Sequence, residues 1–154
     1  MGSQADNQAD NQPEKRQVLR PTCMIVDDDP AIRLTLRRIL GNRQVGSPEI
    51  GSADWRTAGD VAEACMRAAP DVLFLDLAMR GFDAIDVIRA LGERHYGGAI
   101  VLISGLHAVM QNVMRVGERH GLVMLPPLPK PFRAHQVEEI LRDFRGHPPP
   151  AAVA

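Results

Sequence analysis

Carboxylates, a hydroxyl group and an ammonium group each follow a short apolar run of this sequence. The residues that carry them are Asp27, Asp28, Asp29, Asp76, Ser104 and Lys130. Alone, each is most often a turn residue, a helix cap or a solvated charge. Gathered at one place they suit a different task, because clustered carboxylates repel one another unless a cation lies between them. Mg²⁺ prefers oxygen ligands of this kind and keeps several waters. The set therefore indicates a metal site.

Such a site has a defined chemistry if one of its carboxylates is a nucleophile. With Mg²⁺ bound, a carboxylate can attack a phosphoryl donor in line. The metal, the lysine ammonium and the serine hydroxyl would then neutralise or hydrogen-bond the three equatorial oxygens. The product is an aspartyl phosphate. This chemistry requires that residues far apart in the sequence meet at one edge of the fold.

The apolar runs predict the strands that would bring them there. Cys23–Val26, Val72–Leu75 and Ala99–Ile103 have the length and branched-residue content of strands buried on both faces. A weakly apolar segment at 48–53 and a run at 122–125 would complete five strands. Ligands bind outside the carboxyl ends of the strands in an open parallel sheet, which is where the polar residues follow.

Helical stripes of apolar residues lie between these runs. Their positions are Ile32, Leu36, Ile39 and Leu40; Val61, Ala64, Cys65 and Ala68; Ile85, Ile88 and Leu91; Val109, Val113 and Val116; and Val137, Ile140, Leu141 and Phe144. Asp29 is placed to cap the first helix, with Pro30 in its first turn. Met110 and Met114 are predicted to face the core. The alternation predicts a parallel sheet with helices on both faces.

Length and composition limit the function classes. The chain has 154 residues, enough for one domain, and 18 basic against 19 acidic side chains, so it lacks the basic balance that favours nucleic acid or anionic membrane. Cys23 and Cys65 are far apart in apolar stretches, which indicates reduced thiols and a cytoplasmic protein. We expect the domain at 18–146, between disordered tails at 1–17 and 147–154.

Four motifs, in this order and at compatible spacings, resemble the receiver domain of bacterial two-component response regulators. They are CMIVDDDPAIRLTLRRIL, DVLFLDLAMRGFDAIDVIRAL, IVLISG and LPKPF. The resemblance covers nearly the whole folded part of the chain. It implies a flavodoxin-like α/β fold, a doubly wound five-stranded parallel sheet in the order 2-1-3-4-5 with helices on both faces.

The resemblance also implies a role for each site residue. Asp28 falls on a direct ligand of Mg²⁺, with Mn²⁺ as the alternative ion, and Asp27 on an acid that acts through water. Asp76 falls on the phosphoacceptor, and the backbone carbonyl of Ala78 on a further metal ligand. The implied metal set is Asp27, Asp28, Asp76 and Ala78. Ser104 falls on the hydroxyl that follows the phosphoryl group, and Lys130 on the lysine that binds it.

The stretch LPPLPKPF, residues 125–132, contains four prolines and Lys130. On its own it also fits an exposed polyproline ligand of the PxxP kind. In the implied order the fifth strand is an edge, where proline is tolerated because an outward N–H has no ladder partner. Pro126 would face the sheet, so we expect a bulge or an end to pairing near it. The resemblance implies a cis bond before Pro131.

The sequence departs from the family at several positions. Met79-Arg80 stands where receivers usually have Met-Pro, and Asp83-Ala84 where they have Asp-Gly. Pro127 replaces a common aromatic residue, so signalling would use another side chain or be weak. Ala78 and Leu106 cannot hydrogen-bond an attacking water, which predicts slow hydrolysis of a phosphorylated state.

These observations favour a phosphorelay protein over an enzyme. It would take a phosphoryl group from a sensor histidine kinase or phosphotransfer protein, or from small donors, lose it by autodephosphorylation, and change the surface of its fourth helix, fifth strand and fifth helix. We expect an output protein on another chain, no nucleic acid or membrane partner, and a monomer or weak homodimer. One alternative is a receiver-like interaction module that is never phosphorylated. The other, a haloacid-dehalogenase-type phosphatase, needs an acid two residues after its nucleophile, where this chain has Ala78.

Overall fold

The structure, a computed structural model, describes residues 21–45 and 56–146. The predicted strand at 48–53 and both predicted tails, 1–17 and 147–154, lie outside these residues. Within the described ranges no helix is long and apolar enough to cross a membrane.

The described residues form five strands and five α-helices that largely alternate along the chain. The strands are β1 Cys23–Val26, β2 Val72–Asp76, β3 Ala99–Ser104, β4 Val123–Met124 and β5 Leu128–Pro129. The helices are α1 Pro30–Leu40, α2 Ala58–Ala68, α3 Ala84–Glu93, α4 His107–Arg119 and α5 Ala134–Gly146. Each predicted apolar run and helical stripe in the described ranges therefore lies on an element of the predicted type.

The strands pair in parallel, with β2 between β1 and β3. Val26 pairs with Leu75, and Asp76 pairs with Ile103, so the carboxyl ends of the three strands lie at one edge. Gln44 forms a bridge with Cys23, which already pairs with β2. Because a strand has two sides, Gln44 lies on the outer side of β1, consistent with the order 2-1-3-4-5.

The predicted fifth strand is an edge that is broken in the middle. Its first part, β4, pairs with the start of β3, and its second part, β5, pairs with the end of β3. From Ile100 to Ile103 the inner strand advances three residues, whereas from Met124 to Leu128 the edge advances four. The extra residue lies in the stretch that contains Pro126, so the predicted bulge is confirmed. The cis bond before Pro131 is also confirmed.

Two apolar cores fill the space between the sheet and its helices. Helices α2, α3 and α4 cover one face, and α1 and α5 cover the other. Met110 is 1% exposed and Met114 packs partly against the first core, as predicted. The prediction for Val109 was wrong, since its side chain is 46% exposed. The buried face of α4 carries Met110, Val113 and Gly117 instead.

The helix starts follow local chemistry. Asp29 caps α1 by accepting a hydrogen bond from the Ala31 amide at 2.9 Å, and Pro30 begins the helix. Asp83 caps α3 through the Ile85 amide in the same way. The cap at Asp29 is the predicted one, and it turns the chain directly after Asp27 and Asp28, the two acids that follow β1.

Candidate functional site

Three aspartates meet at the carboxyl edge of the sheet. Asp27 and Asp28 follow β1, and Asp76 is the last residue of β2. Each offers a carboxylate oxygen, and these oxygens all lie within 4.8 Å of one another. Asp27 and Asp76 are buried and Asp28 is half-buried. The parallel register of β1 and β2 brings residues 49 positions apart to one point.

Lys130 brings a positive charge to the same point from the turn after β5. Its Nζ lies 3.1 Å from Asp27 Oδ2 and 3.4 Å from Asp76 Oδ1. The Lys130 amide donates to the Ser104 carbonyl at 2.9 Å, which ties the start of the turn to the end of β3. The proline-rich stretch therefore serves to aim Lys130 into the acidic cluster.

The charges of this cluster are not balanced. Burial raises the pKa of the Asp27 carboxyl, and the charge of Asp76 raises it further, while the Asp29 amide and Lys130 lower it in part. Burial alone would lower the pKa of Lys130, but the neighbouring Asp27 and Asp76 outweigh it, so the pKa of this ammonium is raised. One cation therefore faces three carboxylates.

A divalent cation fits this donor set. Asp27 Oδ2 is buried and, within the described part of the chain, accepts no hydrogen bond of good geometry. Its charged neighbour is the Lys130 ammonium. A buried carboxylate oxygen in this situation favours a metal ion or a water bound to one. The residues that could hold the ion are Asp27, Asp28 and Asp76.

Ser104 and Ala78 lie beside the acids. Ser104 is 2% exposed and directly follows Ile103, the register partner of Asp76. Its Oγ accepts a hydrogen bond from the Leu106 amide at 2.9 Å. The Ala78 amide donates to Asp76 Oδ1 at 3.2 Å, so the turn after β2 folds back over the carboxylate.

Two further groups at the site were not predicted. Arg33 Nη1 donates to the Asp27 carbonyl at 2.9 Å, and the Arg80 amide donates to Asp28 Oδ2 at 3.2 Å. Arg33 lies one turn into α1, where an arginine normally indicates a solvated charge. A main-chain amide carries no sequence signal of its own. The only clue to Arg80 was that it stands where the family usually has proline.

The arrangement combines a nucleophile, a cation site and hydrogen-bond donors in one partly buried place. Asp76 can supply a carboxylate oxygen, and Lys130 a charge for an incoming anion. Asp27 and Asp28 can hold a cation beside it. This combination suits phosphoryl transfer to a carboxylate, in which positioning and charge neutralisation dominate.

Comparison with known proteins gives the same family. The response regulator receiver domain family matches residues 23–142. The transcriptional regulatory protein GlnL of Bacillus subtilis is 33% identical over 123 residues, which cover 79% of this chain and 36% of GlnL. The chain thus spans little more than a third of that relative. GlnL is named as a transcriptional regulator, a description of the whole of that protein.

Solved structures share the fold. A response regulator from Colwellia psychrerythraea superposes with a TM-score of 0.64 at 22% identity, covering 82% of this chain and 98% of its own. The receiver domain of the sensor histidine kinase PA1611 of Pseudomonas aeruginosa PAO1 gives a TM-score of 0.63 at 16% identity, with the same coverage. That crystal structure has a magnesium ion coordinated in its active-site cleft. Together with the matched residues, these findings show that the chain belongs to the response regulator receiver domain family, the regulatory domains of phosphorelay signalling.

Proposed function

We propose that this protein takes a phosphoryl group onto Asp76 in a Mg²⁺-dependent reaction, from a sensor histidine kinase or a phosphotransfer protein. The observation that carries the proposal is the convergence of three carboxylates and the Lys130 ammonium at one end of the sheet. Neither a structural salt bridge nor a helix cap needs three acids around one cation. A divalent ion would balance the excess negative charge of this cluster and the further negative charge that a phosphoryl group brings.

Each residue has a role in the proposed reaction. An Asp76 oxygen forms a bond to phosphorus, while the bond from phosphorus to the donor breaks and the leaving group keeps that electron pair. When bound, Mg²⁺ neutralises phosphoryl oxygen charge. Asp27, Asp28, Asp76 and the Ala78 carbonyl are the proposed residues that hold it. Lys130 is proposed to bind a phosphoryl oxygen through its ammonium group.

Ser104 is the proposed link between the phosphoryl group and the surface. Its hydroxyl now accepts from the Leu106 amide at the start of α4, and it can donate its own proton to a phosphoryl oxygen. Leu106 is 62% exposed. Val109 is 46% exposed and lines a cavity of about 450 Å³ between α4, the start of α3 and the turn after β2. An exposed apolar patch of this kind suits a protein partner. The proposed output surface consists of α4, β5 and α5.

The test is the mass of the intact protein after incubation with Mg²⁺ and acetyl phosphate or phosphoramidate. We expect the wild-type protein to gain one phosphoryl group, and Asp76→Asn or chelation of Mg²⁺ to abolish the gain. Asp86→Asn is the matched control, because Asp86 is an exposed aspartate on α3 whose side chain is 60% exposed. No gain in the wild type, with beryllofluoride also failing to bind, would favour the interaction module that is never phosphorylated.

The lifetime of the phosphorylated protein is a second expected property. The side chains of Ala78 and Leu106 have no group that can orient a water towards the phosphoryl group. We expect a half-life well beyond seconds, and a shorter one in Ala78→Asn, whose amide can bind that water. A half-life of seconds for the wild-type protein after removal of the donor would contradict this expectation.

A further inference from the structure

The acidic turn after β1 is held by two donors from outside it. Arg33 reaches back from α1 to the Asp27 carbonyl, with a distance of 2.9 Å from Nη1 to the oxygen. The Arg80 amide reaches across from the turn after β2 to Asp28 Oδ2, at 3.2 Å. One bond fixes the main chain of the turn, and the other fixes the side chain of its half-buried acid.

The bond from Arg80 is possible only because this residue is not proline. The receiver motif that the sequence resembles usually has Met-Pro where this chain has Met79-Arg80. Proline has no N–H to donate. The Arg80 side chain is exposed, and the bond to Asp28 uses the main chain alone. Any residue other than proline can therefore make the bond, and proline cannot.

These two bonds oppose the repulsion within the cluster. Three carboxylates with oxygens within 4.8 Å of one another repel, and the half-buried Asp28 has the freedom to turn out to water. Its bond to the Arg80 amide uses one carboxylate oxygen and keeps the group facing Asp76. Hydrogen bonds to metal ligands commonly act in this way, and their loss typically lowers metal affinity by about 10- to 100-fold.

We propose that Arg33 and the main chain of Arg80 are positioning groups, which hold the Asp27 and Asp28 carboxylates towards Asp76 and thereby set the affinity of the site for a divalent cation. The inference rests on the proposed function, since it concerns the same cation site. It adds two groups to that site, neither of which belongs to the acidic cluster, to Lys130 or to Ser104.

The first test compares two substitutions of one residue. Arg80→Pro removes the amide N–H, whereas Arg80→Ala keeps it and removes the charged side chain. Both variants and the wild-type protein are titrated with MgCl₂ at constant ionic strength, and the dissociation constant is read from amide NMR shifts. We expect Arg80→Pro to bind Mg²⁺ about tenfold more weakly than the wild type. Arg80→Ala should stay within about twofold of the wild type, because its main-chain bond to Asp28 persists.

The second test uses the sign of the change at Arg33. Removal of the positive charge of Arg33, whose guanidinium lies against the Asp27 carbonyl, would by itself strengthen cation binding. Loss of the bond to the Asp27 carbonyl would weaken it. We expect Arg33→Met to bind Mg²⁺ about tenfold more weakly, and Arg38→Met, which removes an exposed charge from the same helix, to bind as tightly as the wild type or slightly more tightly.

Stability measured in urea without Mg²⁺ separates positioning from a general loss of fold. The inference holds if the dissociation constant rises in variants whose Mg²⁺-free unfolding remains cooperative. Equal Mg²⁺ affinity for Arg80→Pro and Arg80→Ala, or tighter binding by Arg33→Met, overturns it while the proposed function stands. A wild-type protein that binds no Mg²⁺ overturns both.

Discussion

Buried charge occurs near both ends of α1, and the two places treat it in opposite ways. At the carboxyl end, Arg43 is 6% exposed, and four acceptor contacts surround its guanidinium. They are Nε to the Leu40 carbonyl at 2.9 Å, Nη2 to the Ile39 carbonyl at 2.6 Å, and Nη2 and Nη1 to the two Glu138 oxygens at 2.7 and 3.3 Å. At the amino end, Asp27 is buried with an oxygen that accepts no well-formed hydrogen bond in the described part of the chain.

The pKa of Arg43 and the pKa of Asp27 are both raised, but a raised pKa favours the charged form of an arginine and the neutral form of an aspartate. The hydrogen bond that Arg43 donates to the Glu138 carboxylate raises the pKa of the guanidinium, so its charged form is stabilised. Burial raises the pKa of the Asp27 carboxyl, so its charged form is destabilised. The protein thus surrounds the buried charge of Arg43 with acceptors, whereas it leaves an oxygen of the buried Asp27 carboxylate without a well-formed hydrogen bond in the described part of the chain. A cation that binds beside such a carboxylate would stabilise the protein most, because it supplies the charge that the carboxylate lacks.

The largest change in stability is expected from removing the Arg43 guanidinium, which has a hydrogen-bond partner on each of its nitrogens. Arg43→Met removes the hydrogen bonds that the guanidinium donates to two helix carbonyls and to Glu138, and should lower the free energy of unfolding by about 2 kcal/mol. Glu138 is 41% exposed and can be solvated, which limits the loss. The measurement is urea denaturation of the metal-free protein. Phosphoryl uptake from acetyl phosphate should persist, because Arg43 lies away from the acidic cluster.

Arg38→Met is the control for the loss of charge from this part of the chain. Its side chain is exposed, so we expect a change within about 0.5 kcal/mol. A loss for Arg43→Met as small as that of the control would show that the Arg43 contacts do not stabilise the fold, and the contrast between the two ends of α1 would then fail.

A smaller effect of opposite sign is expected at Asp27. Asp27→Asn removes one of three repelling charges from a buried place, and should raise the free energy of unfolding in metal-free buffer by about 1 kcal/mol. Lys130 keeps its contact with Asp76. The added stability that Mg²⁺ gives the wild type should be reduced in the variant. Urea midpoints with and without Mg²⁺ measure both changes, and a loss of stability for Asp27→Asn in metal-free buffer would contradict the prediction.

Much of the fold and the position of the candidate site could be predicted, because they depend on signals that single residues carry. Apolar runs predicted the strands, and the polar residues after them meet at one edge, as parallel pairing requires. Asp29 and Pro30 predicted the start of α1. The bulge near Pro126 followed from the missing N–H of proline at a paired position.

The errors and omissions depend on contacts between elements. On α4 the sequence favoured Val109, because valine has an apolar side chain to mark a stripe and glycine has no side chain. The buried residue is instead Gly117, which lies so close to Met124 that an added Cβ would have to displace the flexible Met124 side chain. Arg43 was missed because hydrophobic periodicity counts an arginine as exposed. The Arg80 amide was missed because a main-chain donor is the same in almost every residue.

The smallest effect is expected at Asp60, a carboxylate outside the acidic cluster that can be compared with Asp27. Asp60 is the acidic member of a capping box on α2, and its Oδ2 accepts from the Arg56 and Thr57 amides at 2.9 Å each. These hydrogen bonds lower the pKa of Asp60, unlike that of Asp27. A lowered pKa in the folded protein contributes stability above the unfolded pKa, and this contribution is lost as the pH falls through the folded pKa.

Asp60→Asn should therefore have a slightly lower urea midpoint than the wild type near neutral pH. The gap should begin to close as the pH falls below about 4, the ordinary pKa of an aspartate, and should be lost as the pH falls through the lowered pKa of the folded protein, where the wild-type carboxyl also becomes neutral. Urea midpoints of both proteins across this range measure it. A gap that stays constant with pH would assign the loss to the shape of the amide rather than to charge. The comparison of Asp60 with Asp27 requires that hydrogen-bond donors stabilise the charged form of the carboxylate. A constant gap would contradict that requirement.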